Sequence, residues 1–123
     1  MMQVPVAVLK KLCNPLKNPP WALYKRESGP ISNREIELKI ARGPRKFKPY
    51  NSKYPESRQK HIERIAWLVK NGWGDSYITI DLNYDWIIYD GFHRLASAIY
   101  RGDEMIWAEV FGSKEEIQAL YEE

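Results

Sequence analysis

The stretch from Tyr89 to Gly102, YDGFHRLASAIYRG, places Asp90, Gly91, His93 and Arg94 within five residues at the head of a run with helical spacing. The first backbone N–H groups of a helix lack intrahelical partners and carry partial positive charge, so they favour an anion, and a glycine lets that anion approach the backbone closely. Arg94 adds a permanently charged fork of donors, while His93 can donate a hydrogen bond, exchange a proton near neutral pH or bind a metal. A phosphate is the natural guest, with Gly91, Phe92, His93 and Arg94 as its cradle and His93 and Asp90 as the candidate catalytic residues. The same letters also fit a structural pattern in which Asp90 and Gly91 make a tight turn, Asp90 caps the helix and Arg94 pairs with a nearby acid.

Two other groups of residues are suited to chemistry. Asp81, Asp85 and Asp90 surround a short connection between two β-rich segments. If Asp81 and Asp90 meet at the motif end of paired strands, they can hold a Mg²⁺ against phosphate oxygens, although turns and strand ends favour aspartate for their own reasons. Ala41 to Lys60, ARGPRKFKPYNSKYPESRQK, holds seven basic residues and one acid, interleaved with Phe47, Tyr50 and Tyr54. Cations neutralise backbone phosphates and aromatic rings stack on bases, which makes Arg42, Arg45, Lys46, Lys48 and Lys53 candidate nucleic-acid contacts. The alternative is a long loop anchored by its aromatics, with its lysines in water. His61 falls on the polar side of its helix and reads as a surface residue, whereas Trp73, between two glycines, is a candidate for the rim of the pocket.

The elements that must position these groups are clearest in the second half. PESRQKHIERIAWLVKN, from Pro55 to Asn71, puts Ile62, Ile65, Ala66, Leu68 and Val69 on one stripe and stops at Gly72, which predicts an amphipathic helix. YITID and WIIYD read as two strands of a hairpin, joined around Asn83 to Asp85. Leu95, Ala98 and Ile99 predict a helix ending at Gly102, Met105 to Phe111 a further strand, and Ser113 with Glu116 a capping box for a last helix carrying Ile117, Leu120 and Tyr121. In the first half, QVPVAV reads as an opening strand and CNPLKNPP as an extended loop. Ser32 and Glu35 are placed to cap a helix running to Arg42, yet Ile36, Leu38 and Ile40 also alternate as in a strand.

With 123 residues the chain is one domain's length, spanning 1–123 as a single unit. Cys13 is the only cysteine, which rules out an intrachain disulfide and a cysteine-rich zinc site and suits a reducing, cytoplasmic setting. No targeting segment or membrane span is expected. The net charge of +3 hides an asymmetry: 16 basic and 5 acidic residues precede Asn71, against 3 and 11 from there on. Such a split suits a polarised surface with a basic side for phosphate or nucleic acid, unless the two halves interleave in space.

YDGFHRLASAIYRGDEMIWAEV resembles the signature of the ParB/sulfiredoxin-like superfamily, in which a strand runs into a Gly-x-His-Arg or Gly-x-Arg-Arg turn, an Ala-rich helix, a glycine and another strand. The helix, glycine, strand and hairpin ahead of the motif follow the same order, and QVPVAVLKKLCNP is similar to the family's first strand and Asn-Pro loop. The likeness covers about residues 55 to 111 well and 3 to 15 weakly, leaving 21–54 as an apparent insertion. It implies an α+β fold, a small mixed sheet flanked by helices, with a phosphate or nucleotide (ATP or CTP) held at His93 and Arg94. Sulfiredoxins carry a reactive cysteine immediately before the His-Arg pair, where this chain has Phe92, so their sulfinate reduction is not expected. ParB clamps carry helix-turn-helix and dimerisation domains after the shared fold, whereas this chain ends at Glu123. The resemblance therefore narrows to stand-alone members of phage or plasmid type, among them nucleases, ATPases, small-molecule kinases and inhibitors of other proteins. Two expectations follow: a nucleotide-binding phosphohydrolase or nuclease, or a non-catalytic module that binds DNA or a protein target, such as a host protein inhibited by a mobile element.

Overall fold

The computed structural model describes residues 1–21, 29–46, 57–83 and 87–122. Along the chain these form β1 (Met2–Pro5), α1 (Val6–Leu12), α2 (Asn33–Ala41), α3 (Arg58–Asn71), β2 (Ile78–Asp81), β3 (Ile88–Asp90), α4 (Phe92–Arg101), β4 (Met105–Phe111) and α5 (Lys114–Ala119). The class is α+β. The sheet is mixed, in the order β1-β4-β2-β3, with β4 antiparallel to β1 and parallel to β2, and β3 antiparallel to β2 as a hairpin. Among the described residues no helix is long and apolar enough to cross a membrane.

Alternation along the strands decides which sheet face is covered. Val4, Ile78, Ile80, Ile88, Ile106 and Ala108 point into one cluster with Leu9 of α1, Leu95 and Ala98 of α4, and Leu120. α3 lies over α4 and α2 over α3, closing a second cluster around Ile36, Ile62, Ile65, Ala66 and Ala96. The helices therefore stack away from one face of the sheet, and the other face carries Met105, Trp107 and Phe111 exposed. Among the described residues, α3 carries Arg58, Lys60, Arg64 and Lys70 against one acid, Glu63, and Arg42, Arg45 and Lys46 follow α2, while Asp81, Asp90 and Glu109 lie on the strands.

Helix ends match the expected chemistry. Ser57 caps α3 by accepting from the N–H of Lys60, and Gly72 ends it. Reciprocal capping boxes start α2 at Ser32 with Glu35 and α5 at Ser113 with Glu116. The helical alternative therefore holds at α2, whose Ile36 is fully buried. Arg58 ties α2 to α3, donating to Glu35 at 2.9 Å and to the carbonyls of Gly29 and Pro30.

Two expectations for the first half are corrected. The opening strand stops at Pro5, and the apolar run continues as α1, because Val6 and Leu9, three residues apart, are both buried on the core-facing side of a helix. CNPLKNPP is tightly turned at its start instead of extended: Asn14 Oδ1 accepts from the N–H groups of Leu16 and Lys17, and Asn18 N–H reaches the carbonyl of Asn14 at 2.9 Å.

The entrance to α4 is fixed by a close approach. Gly91 has φ +109°, and a Cβ built there would collide with Ile78, coming within 2.8 Å of its Cβ. Both constraints select glycine, one for backbone conformation and one for space. Gly91→Ala is expected to cost about 2–4 kcal/mol, read as a lowered urea midpoint, and an unchanged midpoint would mean that the strand-to-helix turn is loosely packed.

Candidate functional site at the entrance to α4

His93, the second residue of α4, meets His61, the fourth residue of α3. Nδ1 of His61 lies 2.8 Å from Nε2 of His93, with ring centroids 5.1 Å apart and planes inclined by 12°. The centroid separation is the N···N distance plus a ring radius on each side, so the imidazoles lie edge to edge in nearly one plane. Trp21 spans both from above, 4.3 Å and 7° from His93 and 4.8 Å and 19° from His61, and meets Phe92 edge-on at 6.4 Å. His61, expected at the surface, is thus a buried residue, only 4% exposed. It flanks the apolar stripe of α3, and the missing cover arrives from the turn at Trp21.

Sharing a hydrogen bond between the facing nitrogens requires one to donate and the other to accept, so at most one of the two carries a proton. The surroundings keep the pair neutral. Burial pushes the pKa of His61 down to about 4, with Arg64 adding to the effect. Burial pushes His93 down to about 3, followed by the charges of His61, Arg64 and Arg94. The permanent charges that bear on His93, Arg64 and Arg94, therefore both repel a proton and would both attract an anion. Nε1 of Trp21 is buried with no hydrogen-bond partner among the described residues, a donor that an incoming oxygen could satisfy.

The other motif residues have structural duties. Arg94 Nη1 donates to the carbonyl of Tyr77 at 2.8 Å, which leaves the remaining guanidinium donors for other partners. Gly91 packs against Ile78 with no room for a Cβ. Phe92 packs against the sheet-side core. Asp90 does not cap α4, because Gly91 is the N-cap and no side-chain cap bond is present. Asp90 pairs with Thr79 across the hairpin, and Asp81 sits two residues further along β2. The two carboxylates therefore share the outer sheet face in diagonal positions. Asp81 Oδ1 accepts from Asn83 N–H at 2.9 Å, and Asp85 lies outside the described residues. Among the described residues no cluster of three metal-ligating side chains occurs.

In the basic run, Arg45 donates to Glu63 from its backbone N–H at 3.2 Å and from Nε at 3.4 Å. Lys46 Nζ stands 5.9 Å from the ring centroid of Trp67, and Arg42 is the exposed C-cap of α2. Lys48 and Lys53 lie outside the described residues, as do Phe47, Tyr50 and Tyr54. Trp73 is not at the pocket. It packs on the sheet-side core beneath the guanidinium of Arg101, 5.1 Å away at the opposite end of α4 from His93.

Comparison of the chain with protein-family models, with curated proteins and with solved structures gives no match in any of the three. The site is read from its own geometry.

The sign of the acid response follows from these directions. Both histidines titrate lower in the folded chain than the ordinary 6.5, so the unfolded chain binds more protons as the pH falls below that value. Stability is fully present above about pH 6.5 and drains toward pH 4, by up to about 1.4 kcal/mol per pH unit for each histidine. Urea midpoints at pH 7.5, 6, 5 and 4.5 should trace this loss, and the His61→Leu/His93→Leu double variant should flatten it; a wild-type curve already flat over that range would contradict a buried neutral pair.

Proposed function

We propose that the chain is a phosphate-binding domain of the ParB/sulfiredoxin-like kind, taking the phosphate of a nucleotide such as ATP or CTP, or of nucleic acid, at the entrance to α4. One observation carries this reading: at the head of α4 the His93 ring, 2.8 Å from His61, is held neutral under the charges of Arg64 and Arg94, and both guanidinium groups favour an anion beside it. The positive end of α4 adds to that field. A bound phosphate reverses the local balance, raising the affinity of both imidazoles for protons and turning them into donors. Acid–base work on a phosphoester then falls to His93 with His61 behind it, while Arg94 stabilises charge on the phosphoryl oxygens. In the metal-dependent form of the reading, Asp90 and Asp81 supply carboxylates for Mg²⁺, which commonly takes one or two together with substrate phosphates; such an ion would add charge stabilisation.

The first test is binding. Inorganic pyrophosphate, ADP and CTP should each raise the melting temperature of the wild type, since a ligand bound only by the folded state stabilises it by about 2.7 kcal/mol at a hundredfold excess over its Kd. Each variant is compared with its own ligand-free melt. Arg94→Ala and His93→Gln should lose the shift, which should also strengthen for the wild type between pH 7.5 and 5.5 as the anion draws in a proton. Equal shifts in all three proteins would remove the entrance to α4 as the site. Hydrolysis of nucleotide or nicking of DNA with Mg²⁺ or with EDTA, in Asp90→Asn and His93→Gln, then separates the two chemical forms.

The uncovered sheet face favours a second reading, that of a protein-binding module. Trp107 is 50% exposed at the centre of β4, between Met105 and Phe111, and apolar surface so placed commonly meets a partner. In that case Trp107→Ser/Phe111→Ser should abolish capture of a partner that His93→Gln retains.

A further inference from the structure

The α1 side of the molecule carries a second concentration of positive charge. The last turn of α1 and the turn that follows enclose a half-open cleft of about 710 Å³, within the roughly 300–1,000 Å³ range of small-molecule sites. Its walls include Lys10, Lys11 and Lys17, the side chains of Asn14 and Asn18, and Cys13. Among the described residues that line it there is no acid, and none of the three lysines has an ion-pair partner. Three ammonium groups around one concavity without a counter-charge repel one another, and an anion relieves the repulsion.

The local fold holds the rim in place. Asn14 Oδ1 accepts the backbone N–H groups of Leu16 and Lys17, so its amide NH₂ is the free end of that side chain. Asn18 N–H returns to the carbonyl of Asn14, which fixes Lys17 relative to the end of α1. Leu16 is buried in the α2–α3 cluster and Leu9 in the sheet-side cluster, so the turn is anchored at both ends. None of the lining residues belongs to the entrance of α4.

We propose that this cleft is a second anion site, which takes a phosphate-bearing ligand through Lys10, Lys11 and Lys17 with the Asn14 amide as an added donor. The chemistry common to a mononucleotide and to a nucleic-acid backbone is the phosphate, and both fit a cleft of this size and openness.

Cys13 makes the cleft measurable, because it is the chain's single thiol and lines it. Burial pushes its pKa up, so reaction is slow and is followed at pH 8.5. The wild type is treated with an anionic aromatic disulfide and, separately, with a neutral pyridyl disulfide. An electropositive cleft favours the anionic reagent, and the ratio of the two rates should fall at least about threefold in Lys10→Gln/Lys11→Gln/Lys17→Gln. The substituted lysines are exposed, so far-UV circular dichroism should show an unaltered fold. Inorganic pyrophosphate should slow both reagents in the wild type and neither in the variant. Protection by ADP in addition points to a small ligand, and protection by a single-stranded ten-mer without ADP protection points to a nucleic-acid backbone. The same experiments in Arg94→Ala should give the wild-type result, which keeps this site separate from the entrance to α4. Equal rate ratios in wild type and variant, or no protection by pyrophosphate, would overturn the proposal.

Discussion

The close parallel packing of α4 on α3 is the contact from which the rest of the structure takes its geometry. It depends on the small residues Ala96 and Ser97, both fully buried, because bulkier side chains there would hold the two helices apart. The Ser97 hydroxyl has one proton and two carbonyls in reach, that of His93 at 2.7 Å and that of Ile65 on α3 at 3.2 Å. Its satisfaction costs α4 little, since the nearer partner lies one turn back in the same helix. The separation of 32 residues between Ile65 and Ser97 recurs between His61 and His93. One helix offset thus places the buried hydroxyl and the histidine pair together, and a slip along the axis would break both.

From this contact the two apolar clusters are joined without being merged. α4 turns Leu95 and Ala98 to the sheet and Ala96 to α3, while Ile99 packs at the margin of both clusters. α2, which falls in the segment that the resemblance leaves as an insertion, completes the outer cluster through Ile36 and is tied down by Arg58 with Glu35. In that pair the single nitrogen Nη2 of Arg58 reaches both carboxylate oxygens of Glu35, at 3.0 and 2.9 Å, while Nη1 donates to the carbonyl of Gly29. The strong charge asymmetry of the sequence becomes spatial through the same stacking. α3 carries Arg58, Lys60, Arg64 and Lys70 against Glu63 in the layer away from the sheet, while Asp81, Asp90 and Glu109 lie on the strands.

Much of this order was legible because it is local. Ser32, Ser57 and Ser113 start helices by satisfying N–H groups a few residues on, Gly72 and Gly102 stop them, and the 3.6 period of α3 marks its buried stripe. The turn at Asn14 is also local, whereas the readings that changed at α1, His61 and Trp73 depended on distant contacts. QVPVAV reads as a strand, yet the chain turns helical at Val6, where Val6 and Leu9 both reach the sheet-side core. His61 belongs to the polar side of its own helix and becomes buried because Trp21 comes to cover it. Trp73 stands between glycines as a pocket residue might, yet Arg101, from the far end of α4, is what covers it. Periodicity describes a helix's own faces and says nothing of what another segment lays over them.

The α4 entrance shows how a motif can be divided between folding and chemistry. Gly91 is required by Ile78, and Arg94 anchors the chain to Tyr77 with one of its donors. The Phe92 ring packs between Trp21 and the sheet-side core. A side chain so placed offers no nucleophile, so covalent catalysis is not open to this position. What the entrance retains is the field of two guanidinium groups and a helix terminus, acting on a pair of imidazoles held neutral by burial. Those are the resources of electrostatic and acid–base chemistry. On the proposed reading they act when an anion arrives to offset the charge, which would couple binding at this site to proton uptake.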